Sequence, residues 1–450
     1  MIVKIWPRIQ KIAKSNSLSA RTAQSSVWIA AGFAVQRGLQ FLSNLILTRL
    51  LYPEAFGIMS LATVFLVGLA MFSDIGIKPS IIRDPRSREL EFLNTAWTIQ
   101  VIRGFGLFCA GCLLAYPVSI IYGEPILLPL LITISSTAAI SGFHNIKFAT
   151  AERDLQFFMP NLVTILGQII GVVALVALSW AWQSVWALVA GNIITSIATV
   201  ALGHCFMRGH RHQFRFDNES AQSIVKFGRW IMLSTIVTFV GGEGLRALQA
   251  GMLTLAEFGI LSIANTIATI ATDLPAKITS GIGMPAIAEA HRSSPARMIQ
   301  VLTQMRRRVL ITTIPLAIIS ALVSGPLIDL LYDDRYRDAA RFAPLLILSY
   351  TIAVFFSIYC TTLLVIGTSK LYLAVMSFIA ISRIAGIILG FKFFDISGMI
   401  IGIGISNLIT LILLGISPFF RKYNFVLSDL VAVMMMVSPI AAFIILYPGF

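Results

Sequence analysis

About thirteen stretches of this 450-residue chain are apolar over the length a helix needs to cross a bilayer, and they restrict its fold more than any other feature. Their approximate cores are 26–51, 56–77, 92–115, 126–143, 158–179, 184–207, 229–251, 257–276, 308–324, 342–366, 371–393, 397–419 and 427–448. In hydrocarbon no water serves the backbone, so a spanning segment must be a helix or a strand of a closed barrel. Charged residues are 12% of the chain and hydrophobic ones 57%, against about 25% charged in soluble domains. The expected fold class is an all-α polytopic membrane protein with about 12–13 transmembrane helices.

The first stretch, Ser26 to Leu51, is not uniformly apolar. Arg37, Gln40 and Asn44 follow the i, i+3, i+7 spacing of one helix face, with Gln36 and Ser43 beside them. A charge near the bilayer centre costs about 2.5–3.5 kcal/mol on insertion scales. The stripe must therefore face protein or water. Two readings stand: a helix lining a hydrophilic cavity, or a polar contact between helices.

The formal net charge is +14, and its placement decides its meaning. With the N-terminus inside and the spans alternating, 25 of the 34 Lys and Arg fall in inside segments and five outside; four, Arg37, Arg103, Arg246 and Arg383, lie within spans. Such a bias orients a membrane protein with its N-terminus in the cytoplasm. It also leaves no excess to explain by nucleic acid. Residues 1–21 lack the continuous apolar core of a cleavable signal. Ile2, Ile5, Trp6, Ile9 and Ile12 recur at helical spacing among Lys4, Arg8, Lys11 and Lys14, as in an amphipathic helix lying against anionic membrane lipids. Cys109 and Cys112 form a C-x-x-C inside an apolar helix, which reads as packing. His204, His210 and His212 lie in or beside a basic linker with no carboxylate or thiol framework, so neither a metal nor a cofactor is expected.

The chain repeats itself. Leu51 to Ala62 (LYPEAFGIMSLA) aligns with Leu253 to Ala264 (LTLAEFGILSIA) at a shift of 202, and Asp74-x-x-x-Lys78 aligns with Asp273-x-x-x-Lys277. Each Asp–Lys pair is spaced to meet along one helix face, and Asp74 and Asp273 are candidates for ion coupling. Six spans separate the copies, so the halves share one orientation: two parallel six-helix bundles, an arrangement in which a site lies between the repeats. The expected organisation is an interfacial helix 1–21, a first bundle 22–207, a cytoplasmic linker 208–226, a second bundle 227–420 and a further hydrophobic helix 421–450, interrupted by Pro439.

The second half has its own polar stretch, Gly241-Gly242-Glu243-Gly244-Leu245-Arg246. Three glycines in four residues weaken a helix and invite a bend, and Pro275 should kink the next one. Gly241, Gly242, Gly244 and Pro275 are the expected hinge. Glu243 and Arg246 are spaced to pair, and Glu243 is a third candidate for ion coupling. Among the mid-span charges four are arginine and one, Glu243, is acidic, so a cavity walled by these would favour an anion. The loops Tyr116–Pro129 and Ser324–Arg341 read as solvated connections. None is long enough for a catalytic domain, and no Walker lysine, His-Glu-x-x-His or nucleophile elbow is present, so no enzyme activity is expected.

Leu47-Thr-Arg49-Leu-Leu-Tyr52-Pro53-Glu54-Ala-Phe56-Gly57, with Phe72-Ser-Asp74-Ile-Gly76-Ile after it, resembles the opening signature of bacterial polysaccharide transporters. These are the O-antigen and exopolysaccharide flippases of the multidrug/oligosaccharidyl-lipid/polysaccharide superfamily. Leu330-Leu-Tyr332-Asp-Asp-Arg-Tyr336 resembles their tyrosine-containing outside loop, with Asp333 where a glycine is common. The resemblance implies two six-helix bundles around a central cavity in the bacterial cytoplasmic membrane. It implies flipping of a polyprenyl-diphosphate-linked oligosaccharide by alternating access, next to membrane lipids and the polysaccharide polymerase and chain-length machinery. Arginine suits a diphosphate, being forked and permanently charged. On the helix argument, the substrate-binding candidates are Arg37, Gln40, Asn44, Arg103, Arg246 and Arg383. A cation-coupled multidrug exporter would want an acidic cavity. A membrane glycosyltransferase or polymerase would want a large outside loop or an acidic catalytic motif.

Overall fold

Apolar runs broken by short polar turns leave the backbone one way to satisfy itself, and the computed structural model is accordingly helical, with no strand among the described residues. It describes residues 18–446 apart from 75, 155, 208–211, 279–286, 288–289, 291–292, 366–368, 418–419 and 421–425. Most of the expected interfacial helix, residues 1–17, thus lies outside the described residues.

The helices are α1 (Leu18–Leu50), α2 (Pro53–Phe72), α3 (Ile77–Arg83), α4 (Leu90–Tyr122), α5 (Leu127–Gly142), α6 (Lys147–Arg153), α7 (Phe158–Trp182), α8 (Val185–Phe206) and α9 (Asn218–Gly241). They continue with α10 (Glu243–Met252), α11 (Leu255–Ile278), α12 (Pro295–Leu331), α13 (Ala339–Val365), α14 (Ser369–Ile416) and α15 (Val426–Leu446). Seven of the described helices are long and apolar enough to cross a membrane, or eight if α5 and α6, bent by 57°, count as one span. Two expected spans, 371–393 and 397–419, form the single element α14, whose helical geometry fails at Phe394 and Asp395. Its two arms fold onto each other through Gly386 against Gly402 and Gly390 against Gly398, where any side chain would collide with backbone. Helix α9 begins at Asn218, so the second part of the expected linker 208–226 is helical.

The described residues fall into two compact units: those up to 51 together with 61–236, and 52–60 together with those from 237 onward. In the first, α7 and α8 approach through Gly167 and Gly171 against Thr199 and Thr195, the small-residue packing of helices in lipid. At one end of this unit, Ile77, Ile81, Phe92, Trp97, Ile146 and Ile224 form a buried cluster among α3, α4, α6 and α9. The segment before α9 lies along the start of α4. Asn94, Thr95 and Thr98 hold the backbone N–H groups of Gln213, Asp217 and Arg215 at 3.2, 2.9 and 3.2 Å, and His212 stacks on Trp97 at 5.3 Å.

In the second unit the repeated segments meet. A side chain at Gly57 would strike the carbonyl of Leu255, and one at Gly259 would strike that of Pro53. Residues 53 and 255, and 57 and 259, are partners under the shift of 202, so the contact is reciprocal. Only glycine permits this approach, which gives Phe-Gly a packing role in both copies.

Two expectations fail. Asp74 and Lys78 do not share a helix face: α2 ends at Phe72, Gly76 takes a left-handed conformation (φ 61°), and the Asp74 carboxylate accepts from the Gly76 N–H at 2.9 Å. Lys78 pairs instead with Glu152 at 2.7 Å. The Ser324–Arg341 segment is not simply solvated. Tyr336 is fully buried, edge-on to Phe56 at 5.7 Å, and Arg335 lies over Tyr52 at 4.7 Å. Asp333 caps the short 3-10 turn Asp334–Tyr336 that sets Tyr336 in place.

Candidate functional site

The polar stripe of α1 survives folding as a partly exposed face. Arg37 Nη1 donates to Gln40 Oε1 at 3.0 Å, one turn along, and its guanidinium lies 5.4 Å from the Phe33 ring. Gln40 is exposed, Arg37 and Asn44 are half-buried, and Ser43 is buried. Two side chains of α7 fasten α1 by its backbone. Asn161 Nδ2 donates to the Trp28 carbonyl at 2.9 Å and Gln168 Nε2 to that of Gln36 at 3.1 Å. α7 thus contacts α1 through the backbone carbonyls of α1, while Arg37 and Gln40 bond each other along the half-buried to exposed face.

Arg103 has a different task. Its Nη2 donates to the Ala70 carbonyl at 2.7 Å and its Nε to Ser73 Oγ at 3.0 Å. Ala70 belongs to the last turn of α2, where carbonyls have no helical donor. Asp74 also acts electrostatically on Arg103. The structure does not join Arg103 to Arg37; each has partners of its own.

In the second unit the glycine stretch is a break. α9 stops at Gly241, α10 starts at Glu243, and Gly242 between them has φ −127°, ψ −94°. Arg246 pairs with Glu243 across one turn of α10 at 3.4 Å. Arg246, Gln249, Ser262, Asn265 and Tyr350 line a small polar pocket with Phe258, Leu261 and Leu346, and Tyr350 donates to Asn265 Oδ1 at 2.7 Å. Arg383, on α14, donates from Nε to Asn407 Oδ1 at 2.8 Å and from Nη1 to the Gly241 carbonyl at 3.1 Å. Glu243, Arg246, Gly241 and Arg383 thus gather around one break. Asp273 is half-buried on α11; Pro275 lies in the same helix, with its side chain outside the described residues.

A further polar group escaped sequence reasoning. Arg306 donates from Nε to Asp429 Oδ1 at 2.7 Å and from Nη2 to Ser428 Oγ, and Tyr359 donates to Asp429 Oδ2. All three titratable residues are buried. The cluster fastens α15 to α12 and α13. The only sequence signal was an aspartate, Asp429, at the start of an apolar run. Among the described residues no group of three or more His, Cys, Asp or Glu is placed to hold a metal ion.

Comparisons with known proteins agree on the kind of molecule. A family model described as "Polysaccharide biosynthesis protein" matches residues 46–341. The lipopolysaccharide biosynthesis protein WzxC of Escherichia coli is 23% identical over 256 residues, 56% of this chain and 52% of that protein. The succinoglycan biosynthesis transport protein ExoT of Rhizobium meliloti is 22% identical over 274 residues, 60% of this chain and 54% of that one. The match thus spans about half the length of these curated relatives. The inward closed structure of the lipid II flippase MurJ superposes with a TM-score of 0.67 at 14% identity, covering 94% of this chain and 99% of that one. At that identity the likeness is one of fold.

Proposed function

The chain belongs to the family of polysaccharide biosynthesis proteins, and we propose that it flips a polyprenyl-diphosphate-linked oligosaccharide across the bacterial cytoplasmic membrane by alternating access. The observation that carries this reading is the sign of the charges held within its spanning helices. In the middle of the expected spans lie Arg37, Arg103, Arg246 and Arg383 and one acid, Glu243, which is paired with Arg246; Asp429, at the start of its helix, is paired with Arg306. Charges of that sign suit a diphosphate and repel organic cations, which disfavours a cation-coupled multidrug exporter. The work is transport, with no bond made or broken.

For the diphosphate we place Arg37 first, with Gln40 and Asn44 along the same face for the sugars, and Arg246 second because Glu243 already engages it. Arg103 and Arg383 enter as supports, since each donates to a backbone carbonyl near a helix end. Glu243 is the leading candidate for ion coupling; Asp74 is committed to the Gly76 amide, and Asp273 sits apart from the glycine break in sequence. The positive-inside bias orients the N-terminus to the cytoplasm, with loops at Arg86, Arg211 and Arg297 inside and those at Glu124, Trp182 and Asp334 outside. The polymerase and chain-length machinery that consume a flipped repeat unit are the partners this role implies.

The test is purified protein in liposomes with a labelled lipid-linked oligosaccharide, read by the label's accessibility to a membrane-impermeant enzyme. Protein-dependent, saturable exposure of the label is expected. Movement of an organic cation dye without movement of the lipid-linked sugar would favour the exporter.

A further inference from the structure

In an unbroken helix the Gly241 carbonyl would accept from the Leu245 N–H. Here the Leu245 N–H turns to the Gly242 carbonyl at 3.1 Å, and the Gly242 N–H turns to that of Phe239 at 3.1 Å. Both are i to i+3 bonds, the tightened geometry of a helix end. The bond that Leu245 withholds comes from Arg383 Nη1 at 3.1 Å. Arg383 is oriented for this. Its Nε is fixed on Asn407 Oδ1, and Asn407, fully buried, donates from Nδ2 to the Ser349 carbonyl of α13 at 2.8 Å. A guanidinium on α14, braced by Asn407 of the same element against the Ser349 carbonyl of α13, therefore holds open the break between α9 and α10. Two discrete arrangements are available to one carbonyl: bonded to Arg383 with the helix broken, or bonded to Leu245 with the helix continuous.

The latch can be opened. Arg383 is half-buried, and among the described residues its Nη2 has no hydrogen-bond partner. A guanidinium prefers a phosphate, with two charged acceptors in one plane, to a single neutral carbonyl. We propose that Arg383 is an anion-released latch: a diphosphate engages its Nη groups, Gly241 loses its external donor, and α9 and α10 join into one helix. Resting on the flippase reading, this names the residue that couples headgroup arrival to movement of the hinge. Gly242 and Gly244 make the break cheap; Arg383 decides whether it is occupied.

The experiment is hydrogen–deuterium exchange on the full chain in nanodiscs, with and without inorganic pyrophosphate. The N–H groups of Glu243 and Gly244 open α10, where a helix has no internal acceptors, and gain them when the helices join. In the unmodified chain, pyrophosphate should slow exchange there several-fold. In Arg383→Ala the same amides should be protected without ligand, on the order of tenfold, and should not respond to it; Arg383→Lys should restore part of the response. Should Arg383→Ala fail to insert, Asn407→Ala must still blunt the ligand response. Faster exchange in Arg383→Ala, the mark of a merely structural cap, overturns the latch, as does an unmodified chain indifferent to pyrophosphate. The readout needs no transport. A chain that responds but moves no lipid-linked sugar keeps the latch and loses the flippase, and a chain that moves the sugar without responding loses only the latch.

Discussion

Arg37 and Arg103 stand in the same unit, on helices α1 and α4, and the sequence favours Arg37 only for the polar stripe beside it. Their partners differ in kind. Arg37 donates to a flexible side chain of its own helix, Gln40, whereas Arg103 donates to the backbone of another helix, the Ala70 carbonyl. A neighbouring side chain can turn away when a ligand arrives. A carbonyl in the last turn of α2 cannot, and without Arg103 it would lie in a low-dielectric interior with one donor fewer. The same division holds in the second unit, where Arg246 is paired with Glu243 on its own helix and Arg383 reaches the Gly241 carbonyl. The acceptor separates two proposed roles: Arg37 and Arg246, which donate to side chains, are proposed to meet the headgroup directly, whereas Arg103 and Arg383 each donate to a carbonyl near a helix end, a bond that in Arg383 the headgroup is proposed to displace.

The comparison breaks most easily at Arg37. Removing a bidentate, charge-assisted phosphate contact costs roughly two hydrogen bonds of about 1.5–3 kcal/mol each. Arg37→Ala should therefore lower transport by about 100-fold or more with normal abundance in the membrane, and Arg37→Lys should keep part of it. Transport in liposomes beside an immunoblot separates the two quantities. Normal transport by Arg37→Ala would end its assignment as a binding residue. Loss of the protein from the membrane would move it to the class of Arg103.

Arg103→Ala should show the opposite pattern. The Ala70 carbonyl loses its charged donor, a destabilisation of about 1.5–3 kcal/mol, so abundance and melting temperature should fall while transport per molecule is retained. A stable variant with poor transport would make Arg103 a binding residue after all.

How much of this was legible follows from what each signal depends on. Span positions depend on local composition, so α7 (158–182) and α8 (185–206) fall on the expected 158–179 and 184–207. The glycine break depends on three glycines within four residues and was equally plain. The bend at Asp74–Gly76 was hidden because Asp-x-x-x-Lys reads as a helical pair until the left-handed Gly76 interrupts it. The cap at Ala70 was hidden because the acceptor is a backbone carbonyl, which has no letter in the sequence. Arg306 and Asp429 are 123 positions apart, so their pairing is a tertiary fact. The tyrosine loop carried a family likeness, but only the fold shows that Tyr336 packs on Phe56 from the opening signature.

Glu243→Gln tests the locally paired class with a smaller effect. The Glu243–Arg246 contact is half-exposed and three residues apart, worth about 0.2–0.5 kcal/mol. Neutralising the acid should free Arg246 and tighten pyrophosphate binding by about twofold, measured by calorimetry in detergent, with stability almost unchanged. A weaker affinity would mean that Glu243 orients Arg246 rather than competing for it.

The smallest effect lies outside the spans, where a charge serves as a cap in water. Asp84 accepts from the Arg86 N–H at 2.9 Å and from Ser223 Oγ of α9 at 2.8 Å. Burial pushes its carboxyl up, but the Arg86 amide, the Ser223 hydroxyl and the Arg86 charge together outweigh it and hold the group below its usual 3.8. A carboxyl lowered on folding stabilises the fold above its unfolded pKa of about 3.9 and loses that contribution as pH falls through the folded value. The Asp84 contribution should therefore be constant between pH 7 and 5, and the difference between the unmodified chain and Asp84→Asn should shrink only below about pH 4. Because the group is near the surface, the contribution is well under about 1 kcal/mol. Thermal melts across that range measure it. A difference that instead closes between pH 7 and 5 would show that the Asp84 carboxyl is raised, with burial outweighing its hydrogen bonds and the Arg86 charge.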